Sequence, residues 1–121
     1  DNNNQVAPFF IIILLWYPCF ENLFTIFRRS KLNSTIYLPD QRHLHTLIYH
    51  YLNSKLNGKF SNSTINSISS IFFLFYLLPM FLYSLIFCDS SIKLFFCLSV
   101  YILSYLYIYF KLSHYEKNKQ K

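Results

Sequence analysis

Three histidines stand close together in the chain and are its clearest candidates for chemistry. His43, His45 and His50 fall within eight residues, and Asp40 and Arg42 precede them. Histidine and arginine side chains donate hydrogen bonds to phosphate oxygens. The N-terminal end of a helix that begins at Asp40 would also favour an anion. The segment is therefore a candidate binding site for a phosphate group.

Two other interpretations of this segment stay open. One is a metal site, but two histidines that share a helix face, such as His43 and His50, are a weak signal for a metal. On a helix His43 and His45 diverge by about 200°, so they would not easily share a metal. The other is an ordinary polar helix face in contact with solvent, which composition alone favours. We assign no catalytic residue and no metal ligand from the pattern.

The element that must position these residues is a helix that begins at Asp40. Aspartate is a favoured N-cap, and the preceding Pro39 marks a boundary. Apolar residues then recur at the spacing of one helical stripe: Leu44, Leu47, Ile48, Tyr51, Leu52 and Leu56. The pattern predicts an amphipathic helix that lies along the membrane surface or packs beneath membrane-spanning helices, and that ends near Gly58. Residues 61–70 are predicted to be a polar linker.

Composition places the chain in a membrane. It has 121 residues, of which 54% are hydrophobic, 21% aromatic and 13% charged. The charged share is about half that of a soluble domain. The single glycine excludes glycine-rich phosphate loops, and the apolar content excludes intrinsic disorder. Cys19, Cys88 and Cys97 have no paired spacing, so neither a disulfide framework nor a zinc motif is indicated.

Three apolar blocks predict three membrane-spanning helices, at about 6–27, 71–88 and 92–110. Pro18 lies inside the first block, where it should kink or break the helix. Residues 89–93 connect the second and third blocks, and so short a link indicates a helical hairpin. We expect an all-α integral membrane protein that forms a single membrane region. Its three transmembrane helices would have a cytoplasmic amphipathic helix between the first and the second.

The basic residues predict the orientation of this region. The loop 28–70 carries six basic residues and one acidic residue, and the tail 111–121 carries four basic residues and one acidic residue. The link 89–93 is neutral. Because cytoplasmic segments collect lysine and arginine, the loop and the tail are predicted to be cytoplasmic. The same topology accounts for the net charge of +6, which indicates membrane lipids as partners and not nucleic acid.

A longer pattern contains the histidine segment. The chain reads YP..E.LF...RR from Tyr17 to Arg29 and PD..HLH from Pro39 to His45. Over residues 17–52 it resembles the C-terminal part of the bacterial polyprenyl-phosphate N-acetylhexosamine-1-phosphate transferases. This is glycosyltransferase family 4, which also contains the phospho-N-acetylmuramoyl-pentapeptide transferase of peptidoglycan synthesis. The resemblance is closest to the branch that starts the lipid carriers of lipopolysaccharide O-antigen, teichoic acid or capsule.

The resemblance implies an activity and a site. Such enzymes move a sugar-1-phosphate from a UDP-sugar to polyprenyl (undecaprenyl) phosphate at the cytoplasmic face of the bacterial inner membrane, with Mg²⁺ as cofactor. The residues that match the family's UDP-sugar site are Asp40, Arg42, His43 and His45. Arg28 and Arg29 match a basic pair suited to phosphate or lipid headgroups. Many members have a third histidine after HLH, where this chain has Thr46.

The family's paired aspartates, which handle Mg²⁺ and the lipid phosphate, have no counterpart among Asp1, Asp40 and Asp89. Phosphoryl transfer needs a cation and anionic ligands that hold it. We therefore expect a C-terminal fragment that is inactive without the rest of its parent polypeptide. The alternative is a small non-catalytic three-span subunit or anchor with a basic loop that binds lipid or a partner. Glu21, at a membrane boundary, is either functional or an end residue that can pair with Arg28.

Overall fold

The computed structural model describes residues 7–31, 42–56 and 59–119, which form helices and no strands. The predicted all-helical class is confirmed for these residues. The helices, in chain order, are α1 (Pro8–Lys31), α2 (Leu44–Leu56), α3 (Asn62–Ile86) and α4 (Ser91–Lys119). Three of them, α1, α3 and α4, are long and apolar enough to cross a membrane. The predicted number of such helices is therefore also confirmed.

The outer surface of the three long helices is apolar. Large side chains such as Phe75 and Ile86 are 67% and 70% exposed, and many others like them lie along the same helices. A soluble protein rarely exposes apolar surface of this extent. The shortest of the three helices has 24 residues, or about 36 Å at 1.5 Å per residue. That length exceeds the bilayer core of about 30 Å, so the surface and the length both suit lipid.

The two prolines within long helices do not end them. The predicted kink or break at Pro18 is not a break, because α1 runs through this residue from Pro8 to Lys31. Pro79 lies inside α3 in the same way. A proline removes one N–H from the helical ladder, but neighbouring helices and local adjustments make this tolerable in a membrane-spanning helix.

Helix α3 begins earlier than its apolar block. Ser61 is its N-cap, and the Ser61 side chain accepts a hydrogen bond of 3.2 Å from the N–H of Thr64. The predicted polar linker 61–70 is therefore wrong, because residues 62–70 form the first turns of α3. Inside these first turns the hydroxyl groups bond back to the helix, as where Ser70 donates to the carbonyl of Asn66 at 2.9 Å.

Hydrogen bonds fix which ends of the helices lie together. The N–H of Ala7, before α1, donates to the carbonyl of Cys88 in the turn between α3 and α4 at 2.8 Å. At the opposite end, Ser54 of α2 and Tyr115 of α4 share a hydrogen bond of 3.1 Å. The C-terminal ends of α1 and α4 and the C-terminal half of α2 therefore lie at the same end of the bundle. We call this end of the bundle the basic end.

An aromatic cluster occupies the centre of the bundle. The ring of Tyr105 is fully buried, and its centroid lies 5.0 Å from Phe20 and 5.8 Å from Phe24. The rings of Trp16 and Tyr17 lie 6.4 Å away. Three of these four pairs meet edge to face, an arrangement that ring quadrupoles favour. These contacts join α1 to α4.

Helix α2 packs against α3 and α4. Its residues Leu44 and Leu47 are buried in the common core. Its first residue lies beside Glu21, which is ten residues, or about 15 Å, before the end of α1. Helix α2 therefore begins at a depth well inside the bundle. It then runs alongside α4 as far as the level of Tyr115.

Candidate functional site

The N-terminus of α2 is occupied by a carboxylate of the chain itself. The N–H of Leu44 donates to Glu21 Oε1 at 3.1 Å, and Nδ1 of His43 lies 3.1 Å from the same oxygen. Glu21 is 5% exposed. The first N–H groups of a helix lack partners within the helix, and the helix dipole favours negative charge at this end. Glu21 therefore supplies the anion that this helix end favours.

This contact changes the predicted start of the helix. Arg42 and His43 precede the first helical residue, Leu44, so the helix does not begin at Asp40 as predicted. Asp40 itself and the predicted end at Gly58 lie outside the described residues. Sequence periodicity could not locate the start, because the capping carboxylate comes from a different helix. Glu21 connects α1 to α2.

A polar spot lies beside this carboxylate inside the apolar core. Four buried polar atoms of the core make no hydrogen bond of normal geometry to any residue that the structure describes: Glu21 Oε2, Tyr17 Oη, Tyr105 Oη and Trp16 Nε1. Of these, the hydroxyl groups of Tyr17 and Tyr105 lie beside Glu21. Buried polar atoms are usually paired, since an unpaired one costs free energy. The hydroxyl groups of this spot are therefore expected to add little to the stability of the core.

The two histidines of the PD..HLH pattern lie side by side. Their rings are parallel within 4°, with centroids 5.8 Å apart. The predicted divergence of His43 and His45 is wrong, because His43 precedes the helix. His43 turns inward to Glu21, whereas His45 lines a cavity of about 300 Å³ with Asn62 and Asn66 of α3. Within residues 7–31, 42–56 and 59–119, no three His, Cys, Asp or Glu side chains are close enough to hold a metal ion.

A separate groove at the basic end collects arginine and lysine side chains. Its volume is about 350 Å³, and four cations line it: Arg28, Lys31, Arg42 and Lys117. Nη1 of Arg28 donates to the Arg42 carbonyl at 3.2 Å and also bonds to the Tyr109 hydroxyl. The Arg28 guanidinium lies 5.5 Å from the centroid of the Tyr109 ring. We call this cavity the basic groove.

The predicted site residues are thus divided between two places. Arg28 and Arg42 meet in the basic groove, while His45 faces the cavity beside α3. Arg29 follows Arg28 in the last turn of α1. Sequence reasoning did not single out Lys31 and Lys117 as site residues. The sequence could have indicated both, because Lys31 follows the first apolar block and Lys117 follows the third, and these two blocks are predicted to end on the same side of the membrane.

The pKa of His45 supplies a test of its surroundings. Partial burial lowers this pKa from 6.5, the charge of His43 lowers it further, and the Glu21 carboxylate acts in the opposite direction. Because the pKa of His45 is lower in the folded chain, the unfolded chain binds this proton more readily than the folded chain does. The contribution of His45 to the stability of the fold is therefore complete above about pH 6.5 and is lost as the pH falls. An NMR titration of the His45 ring should give a midpoint below 6.5, and His45→Gln should reduce the loss of stability on acidification. A midpoint at or above 6.5 would contradict this.

The long helices fit a multi-pass membrane protein. The most apolar windows of α1, α3 and α4 have mean hydropathies of 1.8, 1.9 and 1.7. In comparisons with known proteins, no family model, curated protein or solved structure matches the chain.

Proposed function

We propose that the chain is the C-terminal part of a membrane transferase that moves a sugar-1-phosphate from a UDP-N-acetylhexosamine to polyprenyl phosphate. The observation that supports this most is a contact between the two halves of the family-like pattern. Glu21 belongs to YP..E.LF...RR, His43 belongs to PD..HLH, and their side chains meet at 3.1 Å although 22 residues separate them. A single site built from both halves requires such a contact.

A second contact supports the same proposal. Arg28, from the first half of the pattern, bonds to the carbonyl of Arg42, from the second half. In this proposal His45 contacts a phosphate of the UDP-sugar, because imidazole groups donate to phosphate oxygens, while Arg42 lines the separate basic groove and its carbonyl ties the residues before α2 to Arg28. His43 acts indirectly, since its Nδ1 is bonded to Glu21 and holds the start of α2 in place. Asp40, the fourth residue of the implied site, lies outside the described residues.

The described residues do not fit a Mg²⁺ site. Mg²⁺ prefers several oxygen ligands in octahedral geometry, and the described part of the chain brings no three acidic or histidine side chains together. In this proposal the Mg²⁺ ligands come from the rest of the parent polypeptide, and this chain contributes part of the UDP-sugar site.

We further propose that the basic end faces the cytoplasm of a bacterial inner membrane and that α2 is the cytoplasmic amphipathic helix. The last turns of α1 and α4 carry basic residues, including Arg28, Arg29 and Lys117. The opposite end has Asp89 and Lys93 near the turn, which balance each other. Lysine and arginine collect on the cytoplasmic side of membrane proteins, which supports this orientation.

Binding of UDP-N-acetylglucosamine to the full chain in detergent tests the proposal. We expect saturable binding by calorimetry, weakened about five- to tenfold by His45→Gln, because this change removes a hydrogen bond to phosphate. His50→Gln, in an exposed position of the same helix, is the matched control and should bind as the wild type does. The same sample with Mg²⁺ and polyprenyl phosphate should transfer no sugar phosphate.

The second candidate function is the non-catalytic three-span subunit or anchor. One observation favours it: the N-terminus of α2, where a substrate anion was expected, is occupied by Glu21. If the wild-type chain does not bind the UDP-sugar, or if His50→Gln weakens binding as much as His45→Gln, the transferase proposal fails and the subunit interpretation is preferred.

A further inference from the structure

We infer that the basic groove binds the headgroup phosphate of an anionic phospholipid, with the acyl chains against the neighbouring aromatic rings. The inference does not depend on the proposed transferase function. It concerns a cavity lined by α1, α4 and Arg42, whereas His45 lines a cavity between α2 and α3.

Three separate segments bring cations to this groove. Arg28 and Lys31 come from the last turn of α1, Arg42 from the residues before α2, and Lys117 from the last turn of α4. The bonds from Arg28 to the Arg42 carbonyl and the Tyr109 hydroxyl hold its guanidinium against the groove wall. Because the cations come from three segments that are far apart in the sequence, the groove exists only when the chain is folded.

The lining of the groove combines charged and apolar side chains, which suit the headgroup phosphate and the acyl chains of a phospholipid. Besides the cations, it contains the rings of Phe24, Phe27 and Phe110 and the hydroxyl of Ser113. Phe27 and Phe110 are 57% and 60% exposed, so they present apolar surface to whatever lies beside the bundle. A lipid phosphate accepts hydrogen bonds from the cations, and the acyl chains below it contact the rings.

The position of the groove along the helices matches the depth of a headgroup. Phe110 is the last residue of the third apolar block, and Lys111 follows it. On α1 the same change occurs between Phe27 and Arg28. The groove therefore spans the level at which apolar side chains give way to charged ones, where the phosphate groups of a bilayer lie.

The two exposed lysines of the groove, Lys31 and Lys117, favour an anion. No carboxylate is among the described residues that line it, and Glu116 of α4 lines a different cavity, with His50 and Lys119. A basic residue near an anionic membrane surface contributes about fivefold to lipid affinity. Lys31 and Lys117 together should therefore favour an anionic phospholipid over a zwitterionic one about 25-fold.

Native mass spectrometry of the full chain in an uncharged detergent tests this inference. We expect one phosphatidylglycerol to bind per chain at a concentration at which phosphatidylcholine binds little. The double variant Lys31→Gln/Lys117→Gln changes two exposed side chains of the groove and should weaken phosphatidylglycerol binding about 25-fold, at about fivefold per cation. Inorganic phosphate at the same concentration should not displace the lipid, because it lacks acyl chains.

The matched control is Lys93→Gln/Lys111→Gln, which removes the same charge outside the groove. Lys93 lies at the opposite end of the bundle, and Lys111 lines a cavity with Tyr51 and Tyr107. Equal losses in the two double variants would show that only net charge matters and would overturn the inference. Equal binding of the two lipids, or displacement by inorganic phosphate, would also overturn it. If circular dichroism shows that the first double variant has lost helix, Lys117→Glu alone, at an exposed end of α4, gives the same test.

Discussion

Replacement of Glu21 by alanine is expected to release the start of α2 from α1 and to lower the free energy of unfolding in detergent by about 2–3 kcal/mol. Glu21 is buried, and its Oε1 atom accepts hydrogen bonds from Leu44 N–H and His43 Nδ1. Without the carboxylate the buried N–H of Leu44 has no partner at the helix end, and the favourable interaction with the helix dipole is lost.

Amide hydrogen exchange, measured residue by residue, tests whether the start of α2 is released. We expect the amides of the first turn of α2 to exchange faster in Glu21→Ala, while those of α3 exchange as in the wild type. Glu21→Gln keeps an acceptor oxygen but not the charge, so it should cost about half as much, because hydrogen bonds to charged groups are about twice as strong as neutral ones. Asn22→Ala, at the next position and exposed, is the control. Unchanged exchange in Glu21→Ala would show that α2 is held by its apolar contacts alone.

Replacement of Tyr105 by alanine is expected to have the largest effect on stability of any single change in the bundle, about 3–5 kcal/mol. The Tyr105 ring is fully buried and contacts the rings of Phe20, Phe24, Trp16 and Tyr17 on α1. Within lipid, helices associate chiefly through packing, because the lipid tails are as apolar as the side chains. Loss of this ring therefore removes the central contacts between α1 and α4, while outer contacts such as that of Phe9 with Phe95 remain.

The matched variant Tyr105→Phe separates the ring from its hydroxyl. Because the Tyr105 hydroxyl is buried and makes no hydrogen bond to the described residues, we expect Tyr105→Phe to be within about 0.5 kcal/mol of the wild type or more stable. Unfolding in a denaturing detergent compares the two variants. A loss above about 1 kcal/mol for Tyr105→Phe would mean that the hydroxyl has a partner, and the Glu21 carboxylate beside it is the expected one.

The class of fold could be predicted because it depends on local composition. An apolar run as long as the bilayer core requires a helix, since in lipid every backbone N–H and carbonyl must be paired within its own segment. The same rule bears on the predicted kink or break at Pro18, which is not a break because the apolar run on both sides continues the helix. The predicted polar linker was wrong for a different reason. The polar residues 62–70 extend α3, because the Ser61 cap begins the helix before the apolar block.

The sequence by itself determined the three apolar helices, the helix between the first two, and the chemistry available in its histidines and arginines. Only the tertiary structure decided where that chemistry lies. It turned His43 inward to Glu21, brought Arg28 and Arg42 together with Lys117, and left His45 in a different cavity. The physical reason is the distance along the chain between the partners. Helical periodicity specifies which residues share a face, but not which face of another helix, 20 to 90 residues away, it will meet.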